Sequence, residues 1–147
     1  MENQIKYTKL DPRAQAPSRG SVDAAGADLR ALLDTPVTVA PGETVMIHTG
    51  IAVAIPSGWA GFVCARSGMA SKRGLAPANK VGIIDSDYRG ELMVALHNHA
   101  VSPAVIEPGE RIAQLLIVPV MMAQFCECAA LDETDRGSGG FGSTGTR

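Results

Sequence analysis

The run VGIIDSDYRGEL, from Val81 to Leu92, carries an apolar strand into two acids, an aromatic ring and a turn glycine. Asp85 follows Ile83 and Ile84, which sets it at the rim of a core. There, partial desolvation and neighbouring donors tune a carboxylate toward proton transfer. An Asx turn closing a hairpin is the alternative use of the same residue. Asp87 and Glu91 read as turn residues.

Further clusters hold groups suited to anions. In RSGMA, Arg66, Ser67 and Gly68 stand where a strand turns into a short helix, so a guanidinium, a hydroxyl and free amides converge on one point. An ordinary helix cap with a surface arginine would look the same. In PGERIAQLL, Gln114 interrupts an apolar strand with a neutral amide able to orient water or meet a phosphate without adding charge repulsion, or is simply a satisfied core glutamine. AGADL sets Asp28 after a glycine turn and, by itself, reads as a plain loop. From Arg136 the chain reads RGSGGFGSTGTR, by composition a flexible tail. Yet Arg136, Ser143, Thr144 and the amides around Gly142 can grip phosphate while Phe141 offers a flat face to a base. Such a tail is expected to stay mobile until ligand arrives and then close as a lid.

The elements that must position these groups read as strands. Val45 and Ile47 follow the Pro41-Gly42 turn; Ile51, Val53 and Ile55 precede Pro56; Phe62 with Cys64, then Leu92, Val94 and Leu96, then Ile112 to Val118 continue the habit. Only Ser67 to Arg73 reads as a helix, with Ser67 as its cap and Gly74 as its end. Many short strands with one small helix predict a sandwich, jelly roll or closed barrel. The expected organisation is one all-β domain over residues 1–135 and a glycine-rich lid over 136–147.

A chain of 147 residues with 46% hydrophobic content can bury a core without disulfides, and 4% aromatic content assigns that core to aliphatic side chains. A net charge of −2 argues against general attraction to nucleic acid polymers. Neither a signal peptide nor a membrane span is read in the sequence, so a cytoplasmic protein is expected. Cys64, Cys126 and Cys128 form an odd set, with His97 and His99 far upstream of the last two. Reduced thiols, and neither disulfides nor zinc, are therefore expected.

Taken in order, AGADL, RSGMA, GIIDSDYRGEL, GERIAQLL and RGSGGFGSTG span nearly the whole chain and closely resemble the homotrimeric dUTPases. The resemblance implies a jelly-roll trimer with active sites collected from several subunits. It also implies hydrolysis of dUTP to dUMP and pyrophosphate with Mg2+ on the triphosphate. Such an enzyme supplies dUMP for thymidylate synthesis and keeps uracil out of DNA. Carried over by position, Asp85 becomes the base that activates water and Gln114 helps place that water, while Arg66, Ser67 and Gly68 become phosphate ligands. Asn79 and the turn up to Gly82 would read uracil, Tyr88 would pack beneath the deoxyribose, and Met93 would join the substrate contacts. Asp28 would support the metal through water, and Phe141 would stack over the base. Arg136, Gly142, Ser143 and Thr144 would close on the phosphates. Ala27 departs from the larger residue common in the family, with only a local packing change expected. The alternatives are a dCTP deaminase of the same fold, expected to use a glutamate and to lack the tail, and a non-catalytic nucleotide-binding β-trimer.

Overall fold

The computed structural model describes residues 4–141 and residue 143; Gly142 and Thr144 of the expected lid lie outside the described residues. In chain order the elements are β1 (Lys6–Lys9), β2 (Ser18–Arg19), β3 (Ala27–Arg30), β4 (Val37–Val39), β5 (Thr44–Ile47), β6 (Ile51–Ala54), β7 (Trp59–Cys64), α1 (Ser67–Arg73), β8 (Leu75–Pro77), β9 (Val81–Ile84), β10 (Val94–Asn98), β11 (Ala104–Ile106) and β12 (Arg111–Pro119). The all-β architecture with one short helix is therefore the one observed.

Every strand pair is antiparallel. The largest sheet runs β2-β3-β12-β7-β9, and smaller sheets join β5-β10-β8, β1-β6 and β4-β11. Pairing is mostly between strands distant in sequence, as a jelly roll requires. The alternation read in the sequence becomes the inward face: Val94, Leu96 and Asn98 of β10 are buried while Ala95 and His97 are only partly covered. With Leu29, Ile47, Leu75, Ile106 and Ile112, Val94 and Leu96 form one aliphatic core. Asn98 is fully buried and satisfied: its amide donates to Val39 O and Ser102 O at 2.9 Å each and accepts from Ala100 N at 2.9 Å.

The helix keeps its expected bounds, and Gly74 closes it in the left-handed region at φ 65°, with its N–H turned back to the helix carbonyls. Its start differs from expectation. Arg66, not Ser67, occupies the capping position, and no side chain caps the amides. The Arg66 side chain is committed elsewhere, to Asp28.

After Pro119 the chain leaves the sheets. From residue 121 to residue 138 it is exposed, and Met121, Met122, Phe125 and Leu131 have almost no cover within one chain. Cys64, Cys126 and Cys128 are free thiols. Among the described residues no helix is long and apolar enough to cross a membrane.

Candidate active site

Asn79, Gly82, Asp85, Tyr88 and Met93 line one cavity of about 290 Å³ beside β9, with Met46, Pro77 and Ala95 as apolar wall. The turn before β9 is shaped by its main chain: Lys80 N donates to Pro77 O at 2.9 Å and Val81 N to Asn79 O at 2.7 Å. Lys80 takes φ 66° to allow this. Tyr88 lies across Gly90, where a Cβ would stand 2.4 Å from the phenolic oxygen, and its hydroxyl donates to Glu91 O at 3.0 Å.

Asp85 departs from the expected semi-buried setting. Among the described residues β9 is an edge strand paired only with β7, Ile83 is 65% exposed, and Asp85 is exposed beyond it. The turn is closed by main chain, Tyr88 N donating to Asp85 O at 3.2 Å, and not by the aspartate side chain. Its carboxylate is thereby left available to a ligand.

Glu91 is more than the turn residue its sequence position implies. Its Oε1 accepts from Thr49 N at 3.0 Å and Gly50 N at 2.7 Å, and Oε2 meets His48 Nδ1 at 2.9 Å. Burial pushes its carboxyl up, but the bond to His48, the amides of Gly50 and Thr49 and the His48 charge together outweigh that, so it titrates below the ordinary carboxylate value.

A second cavity, about 190 Å³, gathers Asp28, Arg66, Ser67 and Gln114 with Gly26 and Arg111. Asp28 is only 9% exposed; Arg66 Nε reaches its Oδ1 at 2.7 Å and an Arg111 nitrogen its Oδ2 at 3.1 Å. The register of β12 against β3 shifts between Arg111 and Ala113, and such a bulge re-aims side chains at a strand end. Gln114 donates to Ala65 O at 2.9 Å, over the bare backbone of Gly26. Ser67 and Gly68 stand exposed at the helix start.

Within one chain the two clusters remain apart. Ile84 faces Gly61, and Gln114 faces Cys64, on opposite sides of β7. Two strand spacings of about 4.8 Å and three residues of about 3.4 Å separate them by roughly 14 Å. Arg136, Phe141 and Ser143 line neither cavity; Arg136 Nε donates to Gly139 O at 2.9 Å and Ser143 N to Gly140 O at 3.0 Å, within the tail itself.

The family model described as dUTPase matches residues 12–145. The chain belongs to the dUTPase family. It is 51% identical to the deoxyuridine 5'-triphosphate nucleotidohydrolase of Desulfitobacterium hafniense (strain DSM 10664 / DCB-2), over 96% of this chain and 94% of that one. The enzyme of the same name from Leptothrix cholodnii is 48% identical over 99% of each chain. Among solved structures, the dUTPase of Staphylococcus bacteriophage 80alpha with dUPNHPP has a TM-score of 0.89 at 30% identity, covering 98% of this chain and 99% of that one.

The dUTPase reading of the sequence missed Met46, Glu91 and Arg111. Arg111 sits in a turn-to-strand run whose partner, Asp28, is 83 residues away, so no local spacing marks it. As to metal, both Asp28 oxygens already face guanidinium groups, and among the described residues no three His, Cys, Asp or Glu side chains cluster to hold an ion. This donor set does not fit direct protein chelation. It does fit an ion carried by the triphosphate and met through water, because a carboxylate has lone pairs beyond the two in use.

Proposed function

We propose that this chain hydrolyses dUTP to dUMP and pyrophosphate as a homotrimer with shared active sites. The observation that carries the reading is the gathering of Asn79, Gly82, Tyr88 and Met93 around one cavity with Asp85 on its wall, in a chain of the dUTPase family. The Asn79 amide and the main chain up to Gly82 pair with the uracil edge. Cytosine would leave those groups mismatched, and buried polar groups without partners are costly. Tyr88 packs beneath the deoxyribose and leaves no room for a ribose hydroxyl.

Asp85 takes a proton from water attacking the α-phosphorus, and Gln114 helps hold that water in line. Arg66, Ser67 and Gly68 bind phosphate oxygens. In such reactions the protein chiefly positions reactants and neutralises charge. When bound to the triphosphate, Mg2+ would supply most of that neutralisation, and Asp28 would support it through water. The separation of roughly 14 Å from the end of β9 to Gln114 supports a site in which the Asp85 and Gln114 serving one water come from different subunits. Assembly would also cover Ile83 and the exposed arm after Pro119. Arg136, Gly142, Ser143 and Thr144 then close on the phosphates while Phe141 stacks over the base. The product would feed thymidylate synthesis, and the loss of substrate would keep uracil out of DNA, in the cytoplasm.

Pyrophosphate release with each deoxynucleoside triphosphate in turn, with and without Mg2+, tests the substrate and the metal; dUTP alone should turn over. Oxygen from labelled water should appear in dUMP, and label found only in pyrophosphate would exclude attack at the α-phosphorus. Asp85→Asn should bind a non-hydrolysable dUTP analogue yet turn over about 10²-fold to 10⁴-fold more slowly. Ammonia released from dCTP would favour a deaminase instead.

A further inference from the structure

Glu91 does no chemistry in the reaction just described, yet its carboxylate is the point at which the turn from Asp85 to Leu92 is fastened to the body of the fold. The fastening has distinct parts. Oε1 receives the amides of Thr49 and Gly50, in the bend between β5 and β6. Gly50 holds φ 67° there, and a Cβ on it would stand 2.8 Å from both Ala14 and Leu32, so this bend is closely packed and has room only for glycine. Oε2 meets His48. One residue later, Thr49 Oγ1 donates to Leu92 O at 2.6 Å and Leu92 N donates to Ile51 O at 2.8 Å, with the Leu92 side chain fully buried. On the cavity side, the carbonyl of Glu91 itself receives the Tyr88 hydroxyl.

One residue thus joins a rigid bend, through its side chain, to the ring of Tyr88, through its main chain. An exposed surface glutamate would need none of these contacts, and its own side chain is only 19% exposed. We infer that Glu91 is a positioning residue, which fixes the Tyr88 ring and thereby sets discrimination between deoxyribose and ribose. This rests on the assignment of Tyr88 to the sugar. The turn hydrogen bond from Tyr88 N to Asp85 O carries the same restraint to the base, but the sugar preference is where loosening is read most directly.

The experiment uses the full chain and two readouts. The sequence has two tyrosines, Tyr7 and Tyr88, so a Tyr7→Phe background labelled with 3-fluorotyrosine gives one fluorine resonance, from Tyr88. Glu91→Ala should shift or broaden that resonance without any ligand present. Glu91→Gln should restore it, because the Gln carbonyl still accepts from Thr49 and Gly50. In parallel, the ratio of kcat/KM for dUTP to that for UTP should fall about tenfold to 100-fold in Glu91→Ala, the scale of a misplacement near 1 Å. It should stay within about threefold of the parent in Glu91→Gln, since the amide bonds are kept. Glu91→Asp, one methylene short of the amides, carries both readouts if the Ala variant does not fold.

An unchanged fluorine resonance in Glu91→Ala, or in Glu91→Asp where that variant stands in, overturns the positioning role whatever the substrate. A changed resonance with an unchanged ratio overturns the link to sugar choice. A parent protein that does not prefer dUTP to UTP instead overturns the functional reading, and the resonance still judges Glu91 by itself.

Discussion

Gln114 shows how little space separates a positioned side chain from a misplaced one. Its amide bond to Ala65 O depends on Gly26 having no side chain, because a Cβ there would lie 2.5 Å from Gln114 Oε1. Gly26→Ala is expected to turn the amide away and lose a bond with a net value of about 1 kcal/mol. The thermal midpoint should therefore move little, while kcat for dUTP falls about tenfold or more, as misplacement of a water-orienting group implies. Steady-state kinetics beside a melting curve separate the two effects, and a normal kcat would remove Gln114 from the placement of water. The same cluster separates what the sequence displays locally from what only the fold brings together. RSGMA displays its guanidinium and hydroxyl together, whereas the Asp28 pair with Arg66 and Arg111 exists only once β3 and β12 lie side by side.

At the scale of elements, the turn before β9 contains a lysine where the backbone asks for glycine. Lys80 holds φ 66°, a conformation that costs a residue with a Cβ roughly 1–2 kcal/mol. Lys80→Gly should raise stability by about 1 kcal/mol after the entropy of the freer unfolded chain is deducted. A lower melting midpoint would mean that the contact of Lys80 Nζ with His99 Nε2 at 3.1 Å outweighs the strain. The clasp between the β5–β6 bend and the Asp85 turn has its own signature in acid. The Glu91 carboxyl titrates below its ordinary value of 4.5 in the folded chain. Its ionic contribution is thus fully present above pH 4.5 and is lost as pH falls through the depressed value. Urea unfolding of the parent and of Glu91→Gln at a series of pH values should give stabilities that differ above that range and converge below it. A difference independent of pH would leave only the hydrogen bonds as the cause. Strand periods and the Gly74 stop were readable one element at a time, in β5, β6, β10, β12 and α1. The clasp was not, since its partners lie 41 to 43 residues from Glu91 and local spacing makes it a turn residue.

The molecule as a whole leaves apolar surface without cover: Ile83 on the β9 edge, and Met121, Met122, Phe125 and Leu131 on the arm. The sequence pattern placed Ile83 and Ile84 inside; Ile84 packs against the core while Ile83 is exposed, because successive residues of a strand face opposite ways. Removing residues 136–147 should leave melting and oligomeric state near those of the full chain, because this tail's hydrogen bonds run within Thr134–Ser143 among the described residues. Activity on dUTP should nonetheless collapse; a fully active truncation would make the segment a mere tail.

The gap between the end of β9 and Gln114 has a genetic corollary. Asp85→Asn and Gln114→Ala chains, each impaired alone, should complement each other when co-expressed, since a mixed assembly pairs an intact half from one polypeptide with an intact half from its neighbour. Recovery should follow the statistics of random mixing, and a mixture no more active than its parents would mean that each polypeptide works alone.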